Sequence, residues 1–418
     1  MIAARQGGLG VRCLVVCHGD VRGESGYKRR CLTIVRQLQE LGYETRVLWL
    51  SRLSNPSGSE LRLRKHWLGI PVPPFNAGNK FICKATRLIS RLVARAMMMI
   101  WRIELIVTEG PTVAAVCTGN GVPVICDFHG DVREEWTMDA FPGWESRLAA
   151  EDERIACVKT AGWICASYAL QQVLRARHGV SAPSVIVPSC VDISRYATYE
   201  ERREKARADL GLDGRWVVCY VGGLSRWQEI PQTLRLVAAM RSKEPRVFFL
   251  FITSDKADMY ASELSALGEE KKDYICRSLT HAGVLEMLPA ADLGFLLRAA
   301  SPVNFVSSPT KCGEYLASGV PVVTTAHAGD APRIVSMANA GLVLDGDASQ
   351  EENADAIISY LRASMEDRVA VARRSHLAAF ENYSVVPRRQ DIARLVMEVL
   401  RSDGAYESNQ RSDAGVQD

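Results

Sequence analysis

The chain has 418 residues, of which 47% are hydrophobic and 24% charged, and its formal net charge is +3. This length favours two domains, and the nearly balanced charge excludes the strongly basic composition that nucleic-acid-binding proteins usually have. The charge is uneven, however, because residues 1–102 contain 18 Lys and Arg against 5 Asp and Glu. We therefore expect no nucleic-acid partner, but an anionic partner for the first quarter of the chain.

Strand-like and helix-like segments alternate along the chain, which predicts an α/β protein with parallel sheets and helices on both faces. In the first half the predicted strands are 11–17, 45–50, 105–108, 122–127 and 184–188, and the predicted helices are 25–41, 80–102 and one or two within 145–177. In the second half the predicted strands are 216–221, 247–253, 292–297 and 320–324, and the predicted helices are 230–240, 353–363 and 387–401. Residues 51–79 resemble a loop, and the polar residues 403–418 predict a disordered tail.

The predicted helix 80–102 has a basic stripe, formed by Lys80, Lys84, Arg87, Arg91, Arg95 and Arg102. Its larger apolar residues fall on another side of the helix. Two interpretations are compatible: the apolar side packs on a sheet while the basic side is solvated, or the basic side meets the headgroups of an anionic membrane. We favour membrane contact. No apolar stretch is long enough to span a bilayer and no signal peptide is evident, so we expect a cytoplasmic protein with a peripheral position on the inner face of the plasma membrane.

The 12 cysteines contain no Cys-x-x-Cys pair, and several lie in apolar runs. They predict small core residues in a reducing compartment rather than disulfides or a zinc site. The segment Asp345–Asp347 predicts a turn, because it lies far from any phosphate-binding loop. We therefore expect neither a metal ion nor another cofactor.

The segment 307–325 carries the strongest functional signal in the chain. Ser308 is a good N-cap with Pro309 at the first helical position, and Gly319 suits the left-handed residue that ends a helix. The helix N-terminus and Lys311 together suit a phosphate. Glu314, one turn later, suits sugar hydroxyls, so the segment predicts a nucleotide site.

This segment resembles the donor-binding segment of the retaining GT-B glycosyltransferases of family 4 (glycosyl transferases group 1), of the surface-polysaccharide type. The resemblance implies two Rossmann-like domains facing each other across a cleft, and a last helix that crosses back to the first domain. It also implies that Glu314 holds the ribose of a nucleotide-sugar. The expected parts are an acceptor-side domain, a nucleotide-sugar-binding domain, the crossing helix and a tail, at 1–188, 189–384, 385–402 and 403–418.

Three further loops match the family in part. Asp127–Asp131 resembles its Asp-x-His-Gly motif, which implies that His129 lies against the donor sugar. In the loop 220–230 the family has an Arg and a Lys for the pyrophosphate, whereas this chain has Gly223 and Gln228 there. We expect Arg226 to supply the charge together with Lys311 and Arg298, although a solvated Arg226 stays an alternative.

The first of the two glutamates of the family is also missing, because Val306 stands at its position. Arg298 and Asn304 are candidate substitutes, or they merely order their loop. The glycine-rich loop 18–27 follows the first strand and is either near the donor phosphates or a plain turn. The predicted catalytic residues are His129, Arg226 and Lys311, and the predicted substrate-binding residues are Gly23, Gly26, Gly222, Gly223, Arg298, Asn304, Ser308, Thr310 and Glu314.

The resemblance predicts a retaining, metal-independent hexosyltransferase that moves a sugar from a UDP- or GDP-sugar to a hydroxyl of a glycan or lipid-linked acceptor. Two alternatives stay open at this point. One is a nucleotide-sugar epimerase with the same fold, which would need extra carboxylates. The other is a non-catalytic scaffold or binding subunit of a polysaccharide assembly complex, which the missing Arg, Lys and Glu favour.

Overall fold

A computed structural model of the chain describes residues 10–19, 26–52, 66–75, 78–138 and 143–413. The chain divides into two compact units, residues 1–187 with 385–418 and residues 188–384. Each unit contains one parallel sheet between helices, as the alternating pattern predicts. The strands are near-continuous apolar runs because both faces of such a sheet are covered.

The first unit has a seven-stranded sheet in the order β3-β2-β1-β4-β5-β6-β7. Its strands are β1 Arg12–His18, β2 Glu44–Arg52, β3 Trp67–Val72, β4 Leu105–Glu109, β5 Val124–Phe128, β6 Gly162–Cys165 and β7 Ser184–Ile186. Its helices are α1 Gly26–Glu40, α2 Lys80–Trp101, α3 Gly110–Cys117, α4 Val132–Met138, α5 Gly143–Lys159, α6 Tyr168–His178 and α16 Val385–Asp413. The helix α16 packs on α1, β6 and β7.

The second unit has a six-stranded sheet in the order β10-β9-β8-β11-β12-β13. Its strands are β8 Trp216–Val221, β9 Val247–Ile252, β10 Tyr274–Arg277, β11 Leu293–Leu296, β12 Val322–Thr324 and β13 Gly341–Val343. Its helices are α7 Tyr199–Leu210, α8 Ile230–Lys243, α9 Ala261–Ser265, α10 His281–Met287, α11 Pro302–Phe305, α12 Thr310–Ala317, α13 Ala331–Met337, α14 Gln350–Glu366 and α15 Arg368–Tyr383. The strand order reverses between β8 and β11, where ligands of doubly wound sheets usually bind.

Two of the segments that differ from the sequence prediction are β3 and the end of α16. The strand β3 lies within the expected loop 51–79, and its Gly69 and Pro71 are tolerated because it is an edge strand. The helix α16 reaches Asp413 and so includes much of the expected disordered tail. All twelve cysteines lie in the described ranges and are free thiols, ten of them buried.

Tyr315 of α12 connects that helix to two strands. Its buried ring packs over Gly294 of β11, where a Cβ atom would approach the ring to 2.8 Å. The Tyr315 hydroxyl accepts a hydrogen bond from the Val221 amide at 2.8 Å and donates one to the Phe295 carbonyl at 3.3 Å. The position of α12 therefore depends on a glycine in β11.

We predict that Gly294→Ala lowers the free energy of unfolding by about 1–3 kcal/mol, because the added methyl overpacks the buried ring. Chemical denaturation measures the change. Gly346→Ala is the matched control, since open space surrounds its Cβ position. Equal stability of the two variants would contradict the packing argument.

Candidate functional site

The loops that follow β8, β11 and β12 surround the first turn of α12. Lys311 lies in that turn, with its Nζ 2.9 Å from Gln228 Oε1 and 3.1 Å from Tyr220 Oη. The same ammonium lies 4.3 Å from the centroid of the Tyr220 ring, which is a cation–π contact. Lys311 is thus held in one place by three polar or aromatic groups.

Gly222 makes room for Lys311. Its φ of 135° is one that residues with side chains rarely adopt, and a Cβ atom there would lie 2.6 Å from Lys311 Nζ. The neighbouring Gly223 carbonyl accepts a hydrogen bond from the Tyr220 hydroxyl. The Leu224 amide donates to Asp255 Oδ2 at 2.7 Å, which fixes the loop. Gly222, which the sequence singles out, therefore allows the Lys311 ammonium to approach the backbone closely.

The electrostatic environment of Lys311 favours an anion. Burial lowers the pKa of Lys311 well below its ordinary value, the Arg298 guanidinium lowers it further, and Glu314 opposes the shift. Arg298 is itself buried, which lowers its pKa, and within the described residues its Nε has no hydrogen-bond partner. Two cations therefore share a poorly solvated site, where an anionic ligand would relieve the cost of their burial.

Glu314 lies one turn along α12 from Thr310, the first residue of that helix. Its side chain is 12% exposed, and its Oε1 is 3.7 Å from Nδ1 of His281, the first residue of α10. His281 is not among the residues that the sequence pattern indicates. The sequence gives little indication of this role, because a histidine after a threonine N-cap is common. Only the fold places His281 near Glu314.

Two of the predicted binding residues make structural contacts within the second unit. Asn304 is buried and donates its side-chain amide to the carbonyls of Trp227 and Ala299, at 3.3 and 2.9 Å, so it orders the loop. Ser308 does not cap α12, because its hydroxyl accepts a hydrogen bond from the Ser189 amide at 2.9 Å. The residue before the helix is Pro309, whereas Gly319 takes the expected left-handed conformation with a φ of 69°.

The remaining predicted residues differ in their surroundings. Arg226 is exposed on the single 3₁₀ turn Arg226–Gln228. Val306, at the position of the missing glutamate, is buried. Gly26 begins α1, and Gly23 lies outside the described residues. Asp345–Asp347 forms a turn in which the Asp347 amide donates to Asp345 Oδ1 at 3.0 Å.

The first unit has its own polar cluster at the carboxyl ends of β1, β4 and β5. Glu109 is buried at its centre, with Oε1 2.8 Å from His129 Nε2 and Oε2 2.9 Å from His18 Nδ1. Beside it, Arg30 of α1 forms a buried ion pair with Asp127, at 2.6 Å. His129 Nδ1 lies 3.8 Å from Asp127 Oδ2, so this imidazole is between two carboxylates.

The carboxylates set the charge of His129. Burial favours the neutral ring, but Asp127 and Glu109 outweigh it and raise the pKa of His129. Burial likewise opposes the charged form of Glu109, but His18 and His129 outweigh it and lower the pKa of Glu109. The predicted site residue His129 is therefore part of a charged pair with Glu109, a residue that the sequence analysis missed.

Among the described residues, no group of three or more His, Cys, Asp and Glu side chains has an arrangement suited to a metal ion. None of the described helices has the length and apolar character needed to cross a bilayer.

We predict that Glu109→Gln lowers the pKa of His129, because the variant removes one of the two charges that favour the imidazolium. In the wild type a raised pKa means that the protonated ring contributes fully to stability below about pH 6.5, and that this contribution is lost as the pH rises through the higher folded pKa. Titration of the imidazole nitrogens by NMR measures the shift. Glu104→Gln, at an exposed carboxylate paired with Arg12, is the control, and an unchanged His129 pKa in Glu109→Gln contradicts the assignment.

Two family models match this chain. A model of Glycosyltransferase Family 4 matches residues 24–195, and a model of Glycosyl transferases group 1 matches residues 202–376. The spore coat protein SA of Bacillus subtilis (strain 168) is 25% identical over 195 residues, which are 44% of this chain and 49% of that protein. The chain thus spans about half the length of the curated relative that it matches.

Solved structures with low sequence identity share the fold. HepE from Anabaena in complex with UDP has a TM-score of 0.67 at 18% identity, over 92% of this chain and 99% of that one. WaaG, a glycosyltransferase involved in lipopolysaccharide biosynthesis, has a TM-score of 0.65 at 18% identity, over 92% and 99%. These structures share the two-sheet GT-B architecture. Together with the two family matches they establish that the chain belongs to glycosyltransferase family 4, glycosyl transferases group 1.

Proposed function

We propose that this chain transfers a sugar from a nucleotide diphosphate donor to a hydroxyl acceptor, with retention of the anomeric configuration. The observation that carries the proposal is the pair of poorly solvated cations Lys311 and Arg298, with the carboxylate of Glu314 one turn of α12 from Lys311. Phosphate oxygens suit the cations and ribose hydroxyls suit the carboxylate. HepE, which has the same fold, has been crystallised with UDP and with UDP-glucose, and this supports a UDP-sugar among the candidate donors.

In this proposal the diphosphate is bound by Lys311 and by the free N–H groups at the start of α12. As the bond to the sugar breaks, negative charge grows on the leaving phosphate, and fixed cations in a water-poor site stabilise that charge most. The leaving phosphate then accepts the proton of the attacking hydroxyl, so no separate general base is assigned. His129 is the proposed substrate-contacting side chain of the first unit, and Glu109 holds its orientation and charge.

The proposed acceptor is a bacterial surface glycan or its lipid carrier, and the proposed place of action is the inner face of the plasma membrane. The likeness to WaaG supports this pathway, as does the basic character of the first quarter of the chain. A non-catalytic scaffold is the alternative, supported by the buried Val306 at the position of a family glutamate. A scaffold, however, gives no reason to keep Lys311 buried beside a second cation.

We predict that Glu314→Ala lowers kcat/KM for the donor about a hundredfold, because hydrogen bonds to a charged group contribute about 1.5–3 kcal/mol. Release of nucleoside diphosphate from a nucleotide-sugar panel measures turnover. Glu286→Ala, an exposed glutamate paired with Arg202, is the control. Turnover by Glu314→Ala at the wild-type rate would remove Glu314 from the donor site.

We also predict that Lys311→Met weakens binding of the nucleoside diphosphate more than Arg226→Met does. The reason is that a charge in a poorly solvated site interacts more strongly with phosphate than an exposed charge, which water and salt screen. Calorimetric titration of both variants gives the two Kd values. A larger loss in Arg226→Met would transfer the phosphate-binding role to the exposed arginine.

A further inference from the structure

The helix α2 presents its large apolar side chains to solvent. Within the part of the chain that the structure describes, the residues that α2 buries are the small or slender ones Cys83, Thr86, Ser90, Ala94 and Met98. The exposed residues are Phe81, Ile82, Leu88, Ile89, Leu92, Met99 and Ile100, with exposed fractions from 42% to 84%. This corrects one sequence interpretation, because the apolar side of the helix does not pack on the sheet.

The exposed apolar side chains form one continuous face. At about 3.6 residues per turn, Phe81, Leu88, Leu92 and Met99 lie on nearly the same line along the helix, opposite the buried residues. The isoleucines extend this line on one side. We call these seven exposed residues the apolar face of α2. Contiguous apolar surface of this kind is unusual on a soluble surface and marks a contact with a partner or a membrane.

Cations flank the apolar face along its other side. Lys80, Lys84, Arg95 and Arg102 are exposed there, and α2 contains no Asp or Glu. The basic stripe is smaller than the sequence predicts, because Arg87 pairs with Asp152 at 2.6 Å and Arg91 donates to the carbonyls of Ala115 and Val116. These two arginines hold α2 on its own unit and leave the other four for a partner.

We propose that α2 lies in the interface of an anionic lipid bilayer, with its apolar face inserted among the acyl chains and its flanking cations on the lipid headgroups. An apolar face beside a cationic edge on a helix parallel to the surface is the pattern of interfacial helices. Charge favours lipid over a second copy of the chain, because two α2 faces in contact would bring cations to cations. The biological reason for this contact, access to a lipid-linked acceptor, rests on the proposed function. The exposed apolar face and its cations are observed independently of that function.

The test is sedimentation of the full-length protein with vesicles of phosphatidylcholine alone and of phosphatidylcholine with an equal molar share of phosphatidylglycerol. We expect the wild type to bind the anionic vesicles and to release from them at high salt. An apolar variant, Phe81→Ser with Leu88→Gln, Leu92→Gln and Met99→Gln, should bind at least about tenfold more weakly. A basic variant, Lys80→Gln with Lys84→Gln and Arg95→Gln, should lose about a hundredfold on anionic vesicles, at about fivefold for each cation.

Matched controls change exposed residues of the second unit. Met259→Gln with Met337→Gln, Val369→Gln and Leu377→Gln is the apolar control, and Lys205→Gln with Lys256→Gln and Lys272→Gln is the basic one. Circular dichroism melts check that each variant is folded. The vesicle assay needs no nucleotide-sugar. Vesicle binding without turnover would therefore contradict the proposed function and leave the membrane-binding surface supported.

Three outcomes would overturn the inference. The first is a wild type that binds neither kind of vesicle, and the second is an apolar variant that binds as its control does. The third is a wild type that is dimeric without lipid and becomes monomeric in the apolar variant, which would assign the face to a second copy of the chain. Turnover without vesicle binding would likewise leave the proposed function standing and remove this surface from it.

Discussion

The second unit of the protein is arranged around one electrostatic constraint, a lysine ammonium held where water is scarce. Lys311 keeps this position because Gly222 has no side chain, and because Tyr220 and Gln228 supply the polar contacts that water would otherwise give. Placing a cation there raises the free energy of the empty site, and Arg298 raises it further. An anion that enters relieves this cost, which is why we infer that the site recognises phosphate.

The first unit also buries charged groups, but there the central groups are carboxylates that neighbouring cations stabilise. Glu109 is a buried carboxylate that two imidazoles keep ionised, and Asp127 is a buried carboxylate paired with Arg30. Both lie at the carboxyl ends of adjacent parallel strands, the edge of the sheet where polar side chains converge without interrupting the apolar core. Buried charge also occurs at the opposite end of the second sheet, where Asp292, just before β11, pairs with Arg203 and Arg207.

Sequence patterns could predict what depends on local order along the chain. They placed Lys311 and Glu314 on one short helix and His129 just beyond a buried strand, because strand ends and helix starts have local signals. They could not predict Glu109, His18 or His281, whose partners are distant in sequence and meet only through strand order. Tertiary packing also explains two wrong predictions. The Ser308 hydroxyl accepts from the distant Ser189 amide rather than capping α12, and α2 buries its small residues rather than its large apolar ones.

Calorimetric titration of the wild-type chain with UDP, GDP, ADP and dTDP would show whether the buried Lys311 and Arg298 form a nucleotide site. We expect saturable binding of at least one of them at one site per chain, weakened as salt is raised because the phosphates are recognised by charge. Binding of one base in preference to the others would also define the donor class. If none of the four binds, the buried cations do not form a nucleotide site and the scaffold alternative replaces the enzyme.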